Sequence, residues 1–138
     1  MFLRVVFLFG LGLLAAGAWA QSAPGPSRSF PMDADWGLIA INGRRLPQDI
    51  HAHLRIEAGS GRAFGSTGCN RWTGALVGSE PRLRFTPIAV TRMFCAGAPG
   101  EAERHFLSVL NAGPVWRMER GGLVLIVGKT RLRFRRAG

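Results

Sequence analysis

The chain has 138 residues, a usual length for a single domain. Its 18 basic and 8 acidic side chains leave a formal net charge of +10 at pH 7. Such a charge indicates an anionic partner, although the coding bias of a GC-rich genome toward arginine would produce the same composition. Because the N-terminal segment indicates export, we exclude nucleic acid. We expect an unknown envelope protein or an anionic envelope surface, lipid or glycopolymer, as the partner.

Residues 1–20 have the pattern of a secretory signal peptide. Arg4 precedes a short apolar run, and Ala18-Trp19-Ala20 matches a small-x-small cleavage site. A bilayer span takes about 20 apolar residues, so we expect cleavage after Ala20, no transmembrane segment in the mature chain, and a periplasmic or secreted protein. Residues 21–32, rich in Ser, Pro and Gly, are predicted to form a flexible leader, and residues 33–136 the folded domain.

The first segments of the domain alternate between apolar and polar residues, which is typical of an antiparallel sheet with one buried face. A strand is predicted over 36–41, and it ends at the strong turn signal Asn42-Gly43. A hairpin follows, with its turn at 59–61 and a second strand through Phe64. Residues 72–78 continue as a short strand.

A second group of segments completes the predicted fold. One helix is predicted within 99–113, with Pro99 in its first turn. Residues 115–136 are predicted to form a three-stranded meander, in which the uninterrupted apolar run 123–127 is buried on both faces. About eight short strands and one helix indicate a mainly β fold, either a small antiparallel β-barrel or a strongly curved sheet with the helix packed on it.

Large apolar side chains are numerous enough to fill the interior of such a fold, which disfavours an internal ligand cavity. The residues expected to fill it are Phe64, Phe85, Phe106, Trp116 and Phe134.

The tetrapeptide "RLRF" occurs at 82–85 and again at 131–134. In each strand the arginines would point outward, where charge protects strand edges from aggregation. If the two strands lie close together, these arginines and those that follow would form one basic patch. The members of this patch would be Arg82, Arg84, Arg131, Arg133, Arg135 and Arg136.

Two motifs resemble an enzyme site or a metal site, but each lacks a feature that such a site requires. "VGKT" (127–130) ends like a phosphate-binding loop, but five residues rather than four separate Gly122 from Gly128, and they form a predicted strand. His51 and His53 share one strand face with Glu57, which suits two metal ligands. No third histidine or cysteine lies nearby in the sequence, so we predict no native metal site and no cofactor.

Cys69 in "GCNRWTG" (68–74) has three interpretations. Beside Arg71 it could be a nucleophile, since a neighbouring cation lowers the pKa of a thiol. It could also bind a metal or pair with Cys95 in "TRMFC" (91–95). An exported chain with two cysteines favours the pair.

Four segments, in this order and spacing, resemble the META domain, the family of the heat-shock protein HslJ. They are "WGLIAING" (36–43), "GSTGCNRWTG" (65–74), "LRFTPIAVTRMFC" (83–95) and "ERHFLSVL" (103–110). The resemblance implies a compact envelope domain of bacteria, mainly β with one packed helix, with a stress association and without an established enzymatic activity or cofactor. Members are often lipoproteins, whereas this chain has no lipid-accepting cysteine at the cleavage point.

The two cysteine-containing segments are the signature of this resemblance, and we expect a Cys69–Cys95 disulfide between them. Asn70, Arg71, Thr91 and Arg92 are then candidates for a loop scaffold or a binding site. We expect Arg71 and Arg92 to be buried and hydrogen-bonded to loop carbonyls.

The sequence therefore predicts an exported, monomeric, non-enzymatic envelope protein of the META type, acting as a stress-associated binding or structural module. The alternative is a barrel that binds a small apolar ligand. A cysteine-dependent enzyme is the least favoured function.

Overall fold

The computed structural model describes residues 29–137, together with Gly12 and Gly17. Apart from these two glycines, the predicted signal peptide and leader residues 21–28 lie outside the described residues. Among the residues that the structure describes, no helix has the length and apolar character needed to cross a membrane.

Residues 29–137 form a mainly β domain with one helix, as predicted. The elements in chain order are β1 (Asp35–Ile41), β2 (Arg44–Arg45), β3 (Ala52–Ile56), β4 (Arg62–Thr67), β5 (Arg71–Gly78), β6 (Arg84–Phe85), β7 (Ala89–Val90), α1 (Ala98–Asn111), β8 (Val115–Glu119), β9 (Gly122–Val127) and β10 (Thr130–Arg136). The predicted turn at Asn42-Gly43 joins β1 to β2, with both residues at positive φ.

The strands form one antiparallel sheet that curls into a half-barrel. Eight of them follow the order β6-β5-β4-β3-β1-β10-β9-β8, while β2 pairs with β1 and β7 with β5. At the open side, Arg82 forms a bridge with Val115, and the Leu83 N–H donates to the Pro114 carbonyl at 2.9 Å. The two ends of the sheet therefore meet just ahead of β6, which confirms the predicted strongly curved sheet.

Helix α1 lies in the hollow of this sheet. It packs against β4, β6, β9 and β10, which come from both halves of the strand order. Phe106 is fully buried, and its ring lies 5.8 Å from that of Trp72 and 6.2 Å from that of Phe134. Aromatic side chains thus occupy the centre of the half-barrel, as the sequence predicted.

Strand β9 is buried on both faces over its first half. Leu123 and Leu125 point into the core, while Val124 is buried on the other face, between its cross-strand partners Arg117 and Arg133. The aliphatic stems of long arginine side chains can cover apolar surface in this way. The predicted double burial is confirmed for 123–125, whereas residues 126–127 are half-buried next to the turn.

The expectation that Phe64 fills the interior is wrong. Alternation along β4 places Ala63 in the core and Phe64 on the opposite face. There the Arg62 guanidinium lies 4.8 Å from the centre of the Phe64 ring, which is a cation–π contact. The core at this point accommodates only the small alanine side chain.

The predicted flexible leader also ends too late in the chain. Phe30 is buried, and its ring packs edge-on against Trp116 at 5.4 Å. The Pro31 carbonyl accepts a hydrogen bond from Trp36 Nε1 at 3.3 Å. The packed domain therefore begins at Phe30 rather than at residue 33, because one buried aromatic ring outweighs the polar composition around it.

Candidate functional site

Two loops lie side by side at one end of β5. The first connects β4 to β5, and the second connects β7 to α1. We call residues 68–71, which include the first residue of β5, and residues 91–97 the paired loops. The short strand β7 aligns them by pairing with the start of β5. Thr91 and Arg71 then exchange two hydrogen bonds, from the Thr91 N–H to the Arg71 carbonyl at 3.0 Å and from the Arg71 N–H to Thr91 Oγ1 at 3.1 Å.

The two cysteines of the chain meet across the paired loops. Cys69 and Cys95 form a pair that can be linked by a disulfide, across a sequence separation of 26. The fold therefore brings Cys69 and Cys95 together, as the expected pairing requires. Neither cysteine is present as a thiol in the structure.

Asn70 is the central polar residue of the paired loops. It is buried, and its Nδ2 donates to the Met93 carbonyl at 3.0 Å and to the Glu103 carboxylate at 2.8 Å. Its Oδ1 accepts from the Met93 N–H at 2.7 Å and from the Thr91 hydroxyl at 2.9 Å. The Asn70 side-chain amide thereby holds the second loop through both the N–H and the carbonyl of Met93.

Thr67 and Glu103 complete this scaffold, and neither was predicted from the sequence. The buried Thr67 hydroxyl accepts from the Asn70 N–H at 2.8 Å and donates to the Glu103 carboxylate. Because Glu103 belongs to α1, the helix is connected to the loops. A signal was present in the sequence, since Glu103 precedes Phe106 by three residues and so lies on the apolar face of the helix.

The expected burial of Arg71 and Arg92 is wrong. Both side chains are exposed, and within residues 29–137 neither guanidinium has a hydrogen-bond or ion-pair partner. Alternation along β5 places Trp72 in the core and Arg71 outside. Asn70 and Thr67 already satisfy the loop groups that the two arginines were expected to bind, so the scaffold needs no guanidinium.

The second loop exposes two large apolar side chains. Met93 is 64% exposed and Phe94 is 93% exposed, although the backbone on both sides of them is held. Phe94 was not predicted as a functional residue, because nothing in its sequence neighbourhood distinguishes it from a core phenylalanine. Side chains of this size are usually buried, so a fixed loop that exposes both is unusual.

The six arginines of the predicted basic patch do not form one patch. Arg131 and Arg133 lie beside Glu119, with closest charged atoms 3.0 and 3.7 Å apart. Arg82 instead donates to the Gly113 carbonyl at 3.3 Å, at the open side of the half-barrel. Arg135 shares the outer face of β10 with Arg131 and Arg133 and lines a groove beside β1. Arg84 lies against Gly78, and Arg136 lies opposite Trp36 in the strand register.

The described surface has several grooves. One of about 760 Å³ is bordered by His51 and His53, and one of about 440 Å³ lies beside Phe64. Another groove, of about 450 Å³, runs between the β1–β2 turn and the start of α1.

In the described part of the chain, no three His, Cys, Asp or Glu residues are grouped as metal ligands. Glu57, which shares a strand face with His51 and His53 in the sequence pattern, accepts a hydrogen bond from Ser60.

The signature segments of the sequence thus form one connected structural unit. A family model described as the META domain matches residues 31–138. The chain belongs to the META domain family.

Two solved structures share the fold of this META domain protein. One NMR structure superposes with a TM-score of 0.63 at 24% identity, over 74% of this chain and 87% of that chain. An NMR structure of a protein from Burkholderia xenovorans has a TM-score of 0.62 at 27% identity, over 77% of this chain and 83% of that one. No curated protein matches the chain significantly.

Proposed function

We propose that this META domain protein is an exported, non-enzymatic binding module of the bacterial envelope, and that the paired loops carry its binding surface. The observation that carries this proposal is the exposure of Met93 and Phe94 on a loop whose backbone is held in place. A preorganised loop binds without a large ordering cost. Phe94 is therefore available as an anchor for a partner.

Several features of the paired loops support a non-enzymatic role. Cys69 and Cys95 are paired with each other, so neither is available as a thiolate nucleophile in this form. The carboxylate of Glu103 and the amide of Asn70 both have hydrogen-bond partners within the scaffold. These polar groups stabilise the loops, and the exposed groups around them suit binding.

Export and the envelope location rest on the N-terminal sequence and on the cysteine pair. The pattern of residues 1–20 matches a signal peptide, and disulfides persist in oxidising compartments outside the cytoplasm. A stress-associated role follows from the resemblance to the family of the heat-shock protein HslJ. The protein acts as a monomer in this proposal.

Photocrosslinking in intact cells tests the binding role. A photoreactive amino acid replaces Phe94 in one variant and Val77 in a matched control. Val77 is a second exposed apolar side chain, at 61% exposure, on β5 and outside the paired loops. We expect envelope adducts, protein or lipid, from position 94 and few from position 77. Equal adduct yields at the two positions, or none from position 94, would refute the paired loops as the binding surface.

A further inference from the structure

We propose that the paired loops dock onto a membrane surface that contains anionic lipid, with Met93 and Phe94 inserted at the level of the headgroups. This inference rests on the proposed binding role and names the chemistry of the partner. Four observations support this inference. The second loop has an uncharged, exposed tip, and the backbone below the tip is held in place. Exposed arginines lie near the tip, and its apolar surface is small.

The inserting element is the uncharged stretch at the tip of the second loop. Residues 93–97 of the loop contain no charged side chain, and neither do residues 98–100 at the start of α1, in a chain with a net charge of +10. Met93 and Phe94 protrude from it, and residues 96–98, all Ala or Gly, are exposed beside them. Aromatic and aliphatic side chains of this kind partition into the boundary between headgroups and acyl chains.

The backbone beneath the tip is already fixed. Asn70 binds both the N–H and the carbonyl of Met93, and the Cys69–Cys95 pair holds the residue after Phe94. An inserting loop with this support keeps its shape in water and in the membrane. Little conformational freedom is then lost when the two side chains enter the interface.

Exposed arginines lie near the tip. Arg71 and Arg92 belong to the paired loops, and Arg44 and Arg45 line the groove of about 450 Å³ that Ala98 also borders. Glu101 is an exposed acid in the same groove. Guanidinium groups bind phosphate oxygens with paired N–H donors, and basic side chains near an anionic leaflet add to its attraction.

These four arginines differ from those on the far strands. Arg117, Arg131 and Arg133 are grouped around the Glu119 carboxylate, and Arg55 pairs with Asp35. In the described part of the chain, the arginines beside the tip have no carboxylate partner. Their charge is therefore available to lipid phosphates.

The size of the apolar surface favours lipid over a protein partner. A stable protein interface buries about 800 Å² on each side, usually around anchors that fill pockets. The tip offers two adjacent large side chains on a protruding loop, flanked by small residues and arginines. A bilayer interface accepts such a tip without a complementary pocket, and a few apolar side chains combined with basic ones suffice for reversible binding.

Vesicle co-sedimentation tests the inference on the purified protein, in the form in which its host processes it. We expect binding to vesicles of phosphatidylglycerol and phosphatidylcholine, with much weaker binding to phosphatidylcholine alone. Phe94→Ser should lower the partition coefficient about tenfold, since most of one large apolar side chain no longer enters the interface. Raising the salt to about 0.5 M should weaken binding, because exposed charges are then screened.

Val77→Ser is the matched control, because it removes an exposed apolar side chain that lies outside the paired loops. Its partition coefficient should equal that of the wild type, and any contribution of the N-terminal segment is common to all variants. A charge control, Arg71→Gln with Arg92→Gln, should weaken binding to the anionic vesicles only. Losses of equal size in Phe94→Ser and Val77→Ser would overturn the inference, as would unchanged binding in Phe94→Ser.

Fluorescence gives a second readout that does not depend on a loss of binding. In the Phe94→Trp variant, we expect quenching by brominated lipids beyond that of the wild type, whose Trp36 and Trp72 are buried and whose Trp116 is half-buried. The membrane inference would be overturned if Phe94→Trp showed no added quenching, or if the wild-type protein bound neither kind of vesicle. In that case protein adducts from the crosslinking experiment at position 94 would still support the binding role. An absence of all adducts would refute both proposals.

Discussion

At the scale of single residues, the paired loops depend on a buried asparagine amide. Asn70 makes hydrogen bonds with Thr91, Met93 and Glu103, which lie 21 to 33 residues away in the chain. An amide is suited to this position, because it donates two hydrogen bonds and accepts two within one small planar group. In the part of the chain that the structure describes, every buried side-chain polar atom has a partner.

Replacing Asn70 with alanine should therefore destabilise the protein. The substitution leaves the Met93 backbone groups without their side-chain partner and removes one of the two hydrogen bonds to the Glu103 carboxylate, at a cost of about 2–3 kcal/mol. We expect a lower midpoint of denaturant-induced unfolding, with an unchanged slope. Circular dichroism across a urea series provides the measurement.

Arg71→Ala and Arg92→Ala are matched controls for this prediction, since both residues flank Asn70 or its partners in the same loops. Because their side chains are exposed, each should change the free energy of unfolding by no more than about 0.5 kcal/mol. A loss in either variant as large as that of Asn70→Ala would show that the guanidinium group belongs to the scaffold.

At the scale of elements, β7 and α1 place the second loop. Strand β7 is only two residues long, yet its pairing with β5 sets the register of the paired loops. Helix α1 then begins at Ala98, directly after the loop, and presents Glu103 to Asn70 and Thr67. The loop is held at both ends by elements that belong to the core.

The cysteine pair should contribute substantially to stability at this scale. A cross-link over a sequence separation of 26 stabilises by about 3.5 kcal/mol in the chain-entropy model. The Cys69→Ala, Cys95→Ala double variant should unfold at a correspondingly lower denaturant concentration. Reduction of the wild type should reproduce most of this loss.

Mass spectrometry of protein purified without reductant checks the pair directly. The mass should be lower than that of the dithiol form by the two missing hydrogen atoms. Quantitative labelling of both thiols in the native protein would contradict the pairing, and the paired loops would then be held by hydrogen bonds alone, those of Asn70 and those between Thr91 and Arg71.

At the scale of the whole molecule, the open side of the half-barrel is closed by side chains as well as by strand pairing. Trp116 in β8 donates from Nε1 to the Ser79 carbonyl at 2.8 Å, across the junction of the two sheet ends. Phe30 packs on the ring of Trp116. The segment before β1 therefore belongs to the domain and covers this junction.

Phe30→Ala tests this contribution. Removal of a buried aromatic ring costs about 3 kcal/mol or more, through lost burial and the cavity that remains. We expect a lower thermal midpoint, measured by circular dichroism, while Ser29→Ala at the adjacent exposed position should match the wild type. Equal midpoints for the two variants would mean that the domain does not depend on Phe30.

The sequence by itself determined the local elements of this protein, because their signals are short-range. The Asn42-Gly43 turn, the helix that starts around Pro99 and the apolar run in β9 follow from residue type and periodicity. The two cysteine segments, together with the other motifs, were sufficient to indicate the META family and the pairing of Cys69 with Cys95.

Only the tertiary structure decided which side chains are buried in the loops. Asn70 is buried and Arg71 exposed because β5 begins between them and because Glu103, 33 residues after Asn70, supplies the carboxylate that the amide needs. Phe30 is buried by Trp116, which lies on a distant strand, whereas Phe94 is exposed because no element within residues 29–137 covers its loop. Burial in irregular segments depends on long-range partners, and alternation within a strand carries no information about them.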